Sequence, residues 1–382
     1  MSYLEYRIRA VPTGFKKILY INWPIVLLIF SIGILGFVML YSVAGGSFSP
    51  WAAPQIKRFT FCVFLMFFIA MTPIWFWRNM SFLSYFIAIV LLILVSFIGS
   101  KGMGAQRWLD LGFIRLQPSE LVKIGLVMVL ASYYEALPRQ KISKPFWVII
   151  PIVIILIPSI LVLKQPDLGT SILLVIAGGT VMFLAGVHWI YFFSLISGIV
   201  GGLFIVFRSR HTPWQILKDY QYKRIDTFLD PASDPLGAGY HITQSKIALG
   251  SGAFTGRGFM QGTQSRLNFL PEKHTDFIFT TLAEEFGFIG GLSLLLMYLL
   301  LLLFCIISAI NVRDRYSSLL IMGCSMNFFL FFAVNMSMVM GLAPVVGVPL
   351  PLISYGGSAM LVLMVSFGLI QSAHVHRPRF SK

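Results

Sequence analysis

Ten predominantly apolar runs divide this chain, near residues 22–42, 58–75, 82–99, 117–134, 146–164, 168–187, 189–207, 286–310, 317–341 and 351–373. A helix needs roughly 17 to 25 such residues to cross a hydrocarbon layer. Within lipid, every backbone N–H and C=O must find its partner inside the protein, which leaves the helix as the structure open to runs of this kind. The expected fold is therefore an all-α polytopic membrane protein with about ten transmembrane helices. Composition agrees, with 57% hydrophobic and only 11% charged residues, against roughly a quarter charged in soluble domains.

An even number of spans puts both termini on one side, and the placement of Lys and Arg decides which side. The tails and short loops of that side hold Arg7, Arg9, Lys16, Lys17, Arg78, Arg139, Lys141, Lys144, Arg313, Arg315, Arg377, Arg379 and Lys382, and this excess makes it cytoplasmic. The expected layout is a cytoplasmic tail over 1–21, helices 1–7 over 22–207, an extracytoplasmic loop over 208–275, helices 8–10 over 276–376 and a cytoplasmic tail over 377–382. The first apolar run is too long for the h-region of a signal peptide. Cys62, Cys305 and Cys324 all fall in apolar runs and read as small core residues.

The opposite face is basic as well. Its short loops carry Lys57, Arg58, Lys101, Arg107, Arg115 and Lys164 against Asp110 and Asp167, and the segment 208–275 adds nine cations against five acids. An anionic partner on that face, or contact with the headgroups of membrane lipids, accounts for the excess. Nucleic acid is not expected there. Within 208–275, Ile242–Leu249 reads as a short amphipathic helix lying along the membrane surface.

Absent motifs narrow the chemistry. The chain has no Walker A sequence for ATP and no Asp-x-Asp pair for a metal-bound nucleotide sugar. Its six histidines are scattered, so no metal site is expected. Ser119 to Lys123 is one residue too long for a Ser-x-x-Lys acyl-transfer motif.

Polar residues at the membrane boundary are the functional candidates. The foremost is Asp276, in His274-Thr275-Asp276 at the threshold of the eighth run. From it Thr280, Ala283 and Gly287 follow at offsets that would line one helix face, either for close helix packing or as the floor of a substrate groove. Glu120 and Lys123, three apart, form either a structural ion pair or a pair in which Lys123 reaches an anionic headgroup. Asn335 reads as interhelical glue. The turn-rich stretch Gly347–Ser358 either cradles an anion or re-enters the membrane as a plain turn.

Five segments carry a family resemblance: Gln117-Pro-Ser-Glu120, Lys164-Gln-Pro-Asp-Leu-Gly169-Thr, Gly262-Thr-Gln-Ser265, Phe269–Phe279 and Pro351–Ser358. They resemble the SEDS proteins of bacterial wall synthesis, closer to the RodA elongation branch than to the FtsW division branch. The resemblance runs from the first span to the last. It implies a peptidoglycan glycosyltransferase of the bacterial inner membrane that polymerises lipid II at the outer face for cell elongation and rod shape, beside a class B penicillin-binding protein. Asp276 stands at the family's essential aspartate.

A donor sugar joined through diphosphate already has a good leaving group, so one carboxylate suffices. Asp276 is then the expected general base, acting on the acceptor hydroxyl with inversion of an α-linked donor to a β-1,4 product. Arg107, Arg115, Lys123, Lys164 and Lys273 are the expected cations for the diphosphate, with Gln244, Ser245 and Ser354 as further lipid II contacts. Glu120, Asp167, His274, Thr275 and Asn335 are expected to support the site. The sequence requires no cofactor, although a divalent cation could share the charge. The alternative is a transporter that flips the lipid-linked precursor, and a third reading is a scaffold that only positions the transpeptidase.

Overall fold

The computed structural model describes residues 14–102, 105–110, 115–210, 237–263 and 272–377, with scattered positions between 212 and 234. Parts of both expected tails, most of the segment 208–236 and the motif residues 264–271 lie outside the described residues.

The helices, in order, are α1 (Trp23–Val43), α2 (Ala52–Met71), α3 (Ile74–Ile98), α4 (Pro118–Ala136), α5 (Pro145–Lys164) and α6 (Leu168–Ala185), followed by α7 (Trp189–Arg208), α8 (Ala238–Ser251), α9 (Ile278–Asn311), α10 (Arg315–Val339) and α11 (Gly357–Val375). Among the described residues nine are long and apolar enough to cross a membrane, namely all of these except α4 and α8. α4 is long enough, but it carries Glu120, Lys123 and Glu135. It can do so because protein surrounds it: Val122 to Ala131 are all buried, and α3, α6 and α10 pack around it. Adding α4 gives the ten spans expected.

Two boundaries differ from expectation for the same reason. The second span begins at Ala52 and the eighth at Ile278, well before the apolar runs that suggested them. Gln55, Lys57 and Arg58 in one, and Thr280, Thr281, Glu284 and Glu285 in the other, lower the local hydropathy. Gln55 and the four polar residues of α9 are nonetheless buried against other helices.

The all-α expectation also omits a small antiparallel sheet between α3 and α4, formed by β1 (Ser100–Gly102), β2 (Ala105–Asp110) and β3 (Arg115–Leu116) in the order β1-β2-β3. Its β2–β3 pairing sets Asp110 opposite Arg115. The amphipathic segment 242–249 does form a helix, α8.

Alternation of the spans sorts the connections to two ends of the bundle. At one end, Arg78 joins α3 to Glu135 of α4 at 3.0 Å and to Asp314 at 3.1 Å, while Arg315 donates to the carbonyls of Leu137 and Ala185. At the other end lie the sheet, the start of α9 and the turn between α10 and α11. That end carries the residues singled out by the sequence.

Candidate active site

Asp276 sits in the turn that precedes α9, and the protein holds that turn by its main chain. Three successive carbonyls each accept a hydrogen bond from α10 or from the turn after it: His274 O from Tyr355 N at 2.9 Å, Thr275 O from Ser354 Oγ at 2.6 Å and Asp276 O from Asn335 Nδ2 at 2.8 Å. Asn335 Nδ2 donates its second hydrogen to Val348 O at 2.6 Å. Every bond uses the peptide rather than the carboxylate, so the turn is fixed while the Asp276 side chain stays available. Gly347, at φ +77°, lies beside it, and a Cβ there would stand 3.5 Å from Asp276 Oδ2, an ordinary contact distance.

The partner turn is rigid in its own right. Ser354 Oγ accepts from Leu350 N at 2.8 Å, and Gln55 of α2 brackets the turn by donating to Ser354 O and accepting from Gly356 N. Leu352 lies at φ +65°, a left-handed conformation that a branched side chain adopts only where its surroundings enforce it. The indole of Trp51 stacks on the His274 ring at 3.9 Å and meets Tyr355 edge-on at 5.0 Å.

Burial, followed by the nearby Glu272 carboxylate, pushes the Asp276 carboxyl from 3.8 up to about 6. Both causes disfavour the anion and make it a stronger base when it is deprotonated. Burial lowers the His274 imidazole and the Lys273 ammonium from their ordinary values, which keeps His274 neutral at pH 7.

The expected cations do not all stand open. Lys123 is buried, pairs with Glu120 at 2.7 Å and lies 3.9 Å above the Phe331 ring. Arg107 donates to the carbonyls of Gln165 and Pro166 and faces Asp167 at 3.5 Å. Asp167 in turn caps α6 by accepting from Thr170 N and Oγ1. Arg115 pairs with Asp110 at 3.4 Å on the exposed hairpin, and Lys164 is exposed at the end of α5. Ser354, expected to contact substrate, uses its hydroxyl inside the protein: its donor bond to Thr275 O joins the two turns and its acceptor bond from Leu350 N closes its own turn. Of the α8 candidates, Gln244 is half-buried and Ser245 is fully buried, with its hydroxyl unpartnered.

The stripe drawn from Asp276 to Gly287 is not continuous. Asp276 precedes the helix, and Gly287, at φ +66° and ψ −161°, breaks it. The segment after α8 repairs that break: Arg257 N and Gly258 N donate to the carbonyls of Glu284 and Glu285, while Ala253 O and Phe254 O accept from Phe288 N and Ile289 N. Beside the break is a cavity of about 720 Å³. Phe279, Ala283, Gly287, Leu292, Phe332 and Met336 line its apolar wall, and among the described residues Lys246 is the charged residue there. Phe279 and Ala283, which line the cavity, lie in the first two turns of α9, shortly after Asp276 in the chain.

Sequence reasoning missed Trp51 and Gln55, which reach the site from other elements, and covered Tyr355 only as part of the stretch Gly347–Ser358. Arg58, a cation inside the second turn of a membrane span, lies over the Tyr355 ring at 4.7 Å. Among the described residues no three His, Cys, Asp or Glu side chains converge as a metal site.

A family model for cell cycle proteins of the FtsW, RodA and SpoVE type matches residues 22–379. The chain is 46% identical over 304 residues to the peptidoglycan glycosyltransferase MrdB of Escherichia coli K12, covering 78% of each. It is 37% identical over 296 residues to MrdB of Helicobacter pylori J99, covering 76% of this chain and 74% of that one. Among solved structures it resembles a chain of a peptidoglycan synthase complex that coordinates polymerization and crosslinking, with a TM-score of 0.79 at 30% identity over 93% of this chain and 97% of that one. It also resembles the rod shape determining protein RodA of Thermus thermophilus, with a TM-score of 0.70 at 26% identity over 94% and 98%.

Proposed function

The chain belongs to the FtsW, RodA and SpoVE family, and from that premise we propose that it polymerises lipid II with Asp276 as general base. It is a peptidoglycan glycosyltransferase and a multi-pass protein of the inner membrane. The observation that carries the base assignment is the Asp276 turn, whose three carbonyls are captured while its carboxylate is left to react.

Asp276 takes the proton of the acceptor sugar hydroxyl as that oxygen attacks the anomeric carbon of the lipid-linked donor. The carbon–oxygen bond to the diphosphate breaks on the far side, the bond pair leaves with the diphosphate, and the configuration inverts. The raised pKa suits a base that works near neutral pH. The apolar cavity beside the break in α9 is where we place a polyprenyl segment, with Lys246 at its polar edge. A divalent ion arriving with the diphosphate is compatible with this arrangement.

We assign the site to the outer face of the membrane, with both termini cytoplasmic, because the opposite end of the bundle bears the cations of the short loops and tails. The partner we assign is a class B penicillin-binding protein, since this chain has no acyl-transfer motif of its own and resembles part of a complex that couples polymerization to crosslinking. The test is to supply lipid II to the purified chain with its partner and compare wild type with Asp276→Asn. Wild type makes polymer, and the variant loses about 10² to 10⁴ in rate. Wild-type rates from the variant would remove Asp276 from the chemistry.

A further inference from the structure

The reaction proposed above leaves a negative charge on the departing diphosphate, and charge of this kind is met by a cation held in place beforehand. Arg107, Arg115 and Lys123 are each already compensated by an acid, and Lys164 is exposed at a helix end. Arg58, in the second turn of α2, differs from all of these. It is partly withdrawn from solvent, yet it makes no ion pair or hydrogen bond among the described residues, and its one recorded interaction is with an aromatic face, its guanidinium lying 4.7 Å from the centroid of the Tyr355 ring. A guanidinium with no counter-charge of its own can take an anion that arrives with substrate without breaking an existing ion pair.

Its surroundings place it at the reaction. Tyr355 donates its backbone N–H to His274 O and its ring lies 6.1 Å from that of His274, so Arg58 stacks on a residue bonded to the Asp276 turn. It also lies against Gly357, the first residue of α11, whose Cβ position would be 3.5 Å from Arg58 Nε. The positive end of that helix therefore adds to the same potential. In an inverting displacement the base and the leaving group occupy opposite faces of the reacting carbon. A cation held by Tyr355, on a different element from the one that carries Asp276, suits this arrangement.

We propose that Arg58, stacked on Tyr355, binds the diphosphate of the lipid-linked donor and stabilises it as it leaves. As the carbon–oxygen bond breaks, the bond pair passes to the diphosphate, whose added charge Arg58 meets, while the proton of the acceptor hydroxyl resides on Asp276. Guanidinium geometry suits this because its N–H groups can contact two phosphoryl oxygens together.

This assignment rests on the glycosyltransferase reading, and the test separates the two. The full chain with its partner in phosphatidylcholine nanodiscs is assayed for lipid II polymerisation and for inhibition by a polyprenyl diphosphate, a polyprenyl monophosphate and inorganic diphosphate. Wild type is expected to bind the polyprenyl diphosphate about ten-fold or more tightly than the monophosphate. Arg58→Ala loses that preference and about 10²-fold in kcat, Arg58→Lys restores part of both, and Asp276→Asn keeps the binding preference while losing turnover. If Arg58→Ala does not fold, Arg58→Gln and Arg58→Lys carry the same comparison, with only Lys retaining the preference. An unchanged preference in Arg58→Ala or Arg58→Gln overturns the proposal, whatever happens to turnover. So does competition by inorganic diphosphate equal to that of the polyprenyl form, because the site would then read a free anion. Arg58-dependent diphosphate binding by a wild type that makes no polymer leaves the site standing and removes the glycosyltransferase reading.

Discussion

Replacing Asp276 by Asn is expected to destroy activity and stabilise the protein. Its carboxyl rises from 3.8 to about 6, chiefly because it is buried and secondarily because Glu272 is near. At 1.36 kcal/mol per pH unit, that rise means the folded state is destabilised by about 3 kcal/mol once the group is ionised. The sign follows from proton binding. The folded state holds the proton more tightly, so the penalty is absent below the unfolded value near 3.8, grows between 3.8 and about 6, and is complete above 6. Asp276→Asn carries no charge and escapes it, and because Asp276 retains some contact with solvent, about 3 kcal/mol is an upper bound. The assay is thermal unfolding of both proteins in the same nanodiscs from pH 4 to pH 8, read beside lipid II polymerisation. Asn is expected to match wild type near pH 4 and unfold at a higher temperature at pH 8, while wild-type activity rises through an inflection near pH 6. A variant no more stable at pH 8, or a wild-type activity profile flat across pH 6, would refute the claim that this is a desolvated base.

Other perturbations isolate other parts of the structure. Glu272→Gln removes the second cause of the raised pKa, so the acid limb of the activity profile should move to lower pH with polymerisation retained. Asn335→Leu leaves the carbonyls of Asp276 and Val348 without their donor, which should cost about 1 to 3 kcal/mol in unfolding measurements and lower kcat more than it raises KM. Removing one partner of the Glu120–Lys123 pair should destabilise by about 3 to 5 kcal/mol, whereas replacing both with apolar residues should recover much of the loss. If the double variant recovers stability but no polymerisation, Lys123 also serves the substrate. Gly287→Ala places a Cβ against Gly256 and Phe254 at a positive φ, and its unfolding temperature should fall sharply.

Membrane insertion, the number of spans and the candidacy of Asp276 were legible in the sequence because each depends on composition over a window or on a short contiguous motif. Hydrocarbon forces helices on any long apolar run, whatever surrounds it. A costly carboxylate at the boundary marks itself in the same way. The structure was needed wherever polarity is paid for by neighbours distant in the chain. The window missed the first turns of α2 and α9, because only the packed bundle shows that Gln55, Thr280, Glu284 and Glu285 are buried there. Lys123 had two readings in the sequence and only the fold shows it paired with Glu120, while Arg107 looked like an open cation until Asp167 and two carbonyls were found occupying it. Ser354 looked like a ligand and proved to be a tie between two turns, while Arg58, one cation among many in the sequence, stands against the Tyr355 ring without a counter-charge among the described residues. Residue type fixes what a group can do chemically, and only the fold decides which of its hydrogen bonds and charges are already taken.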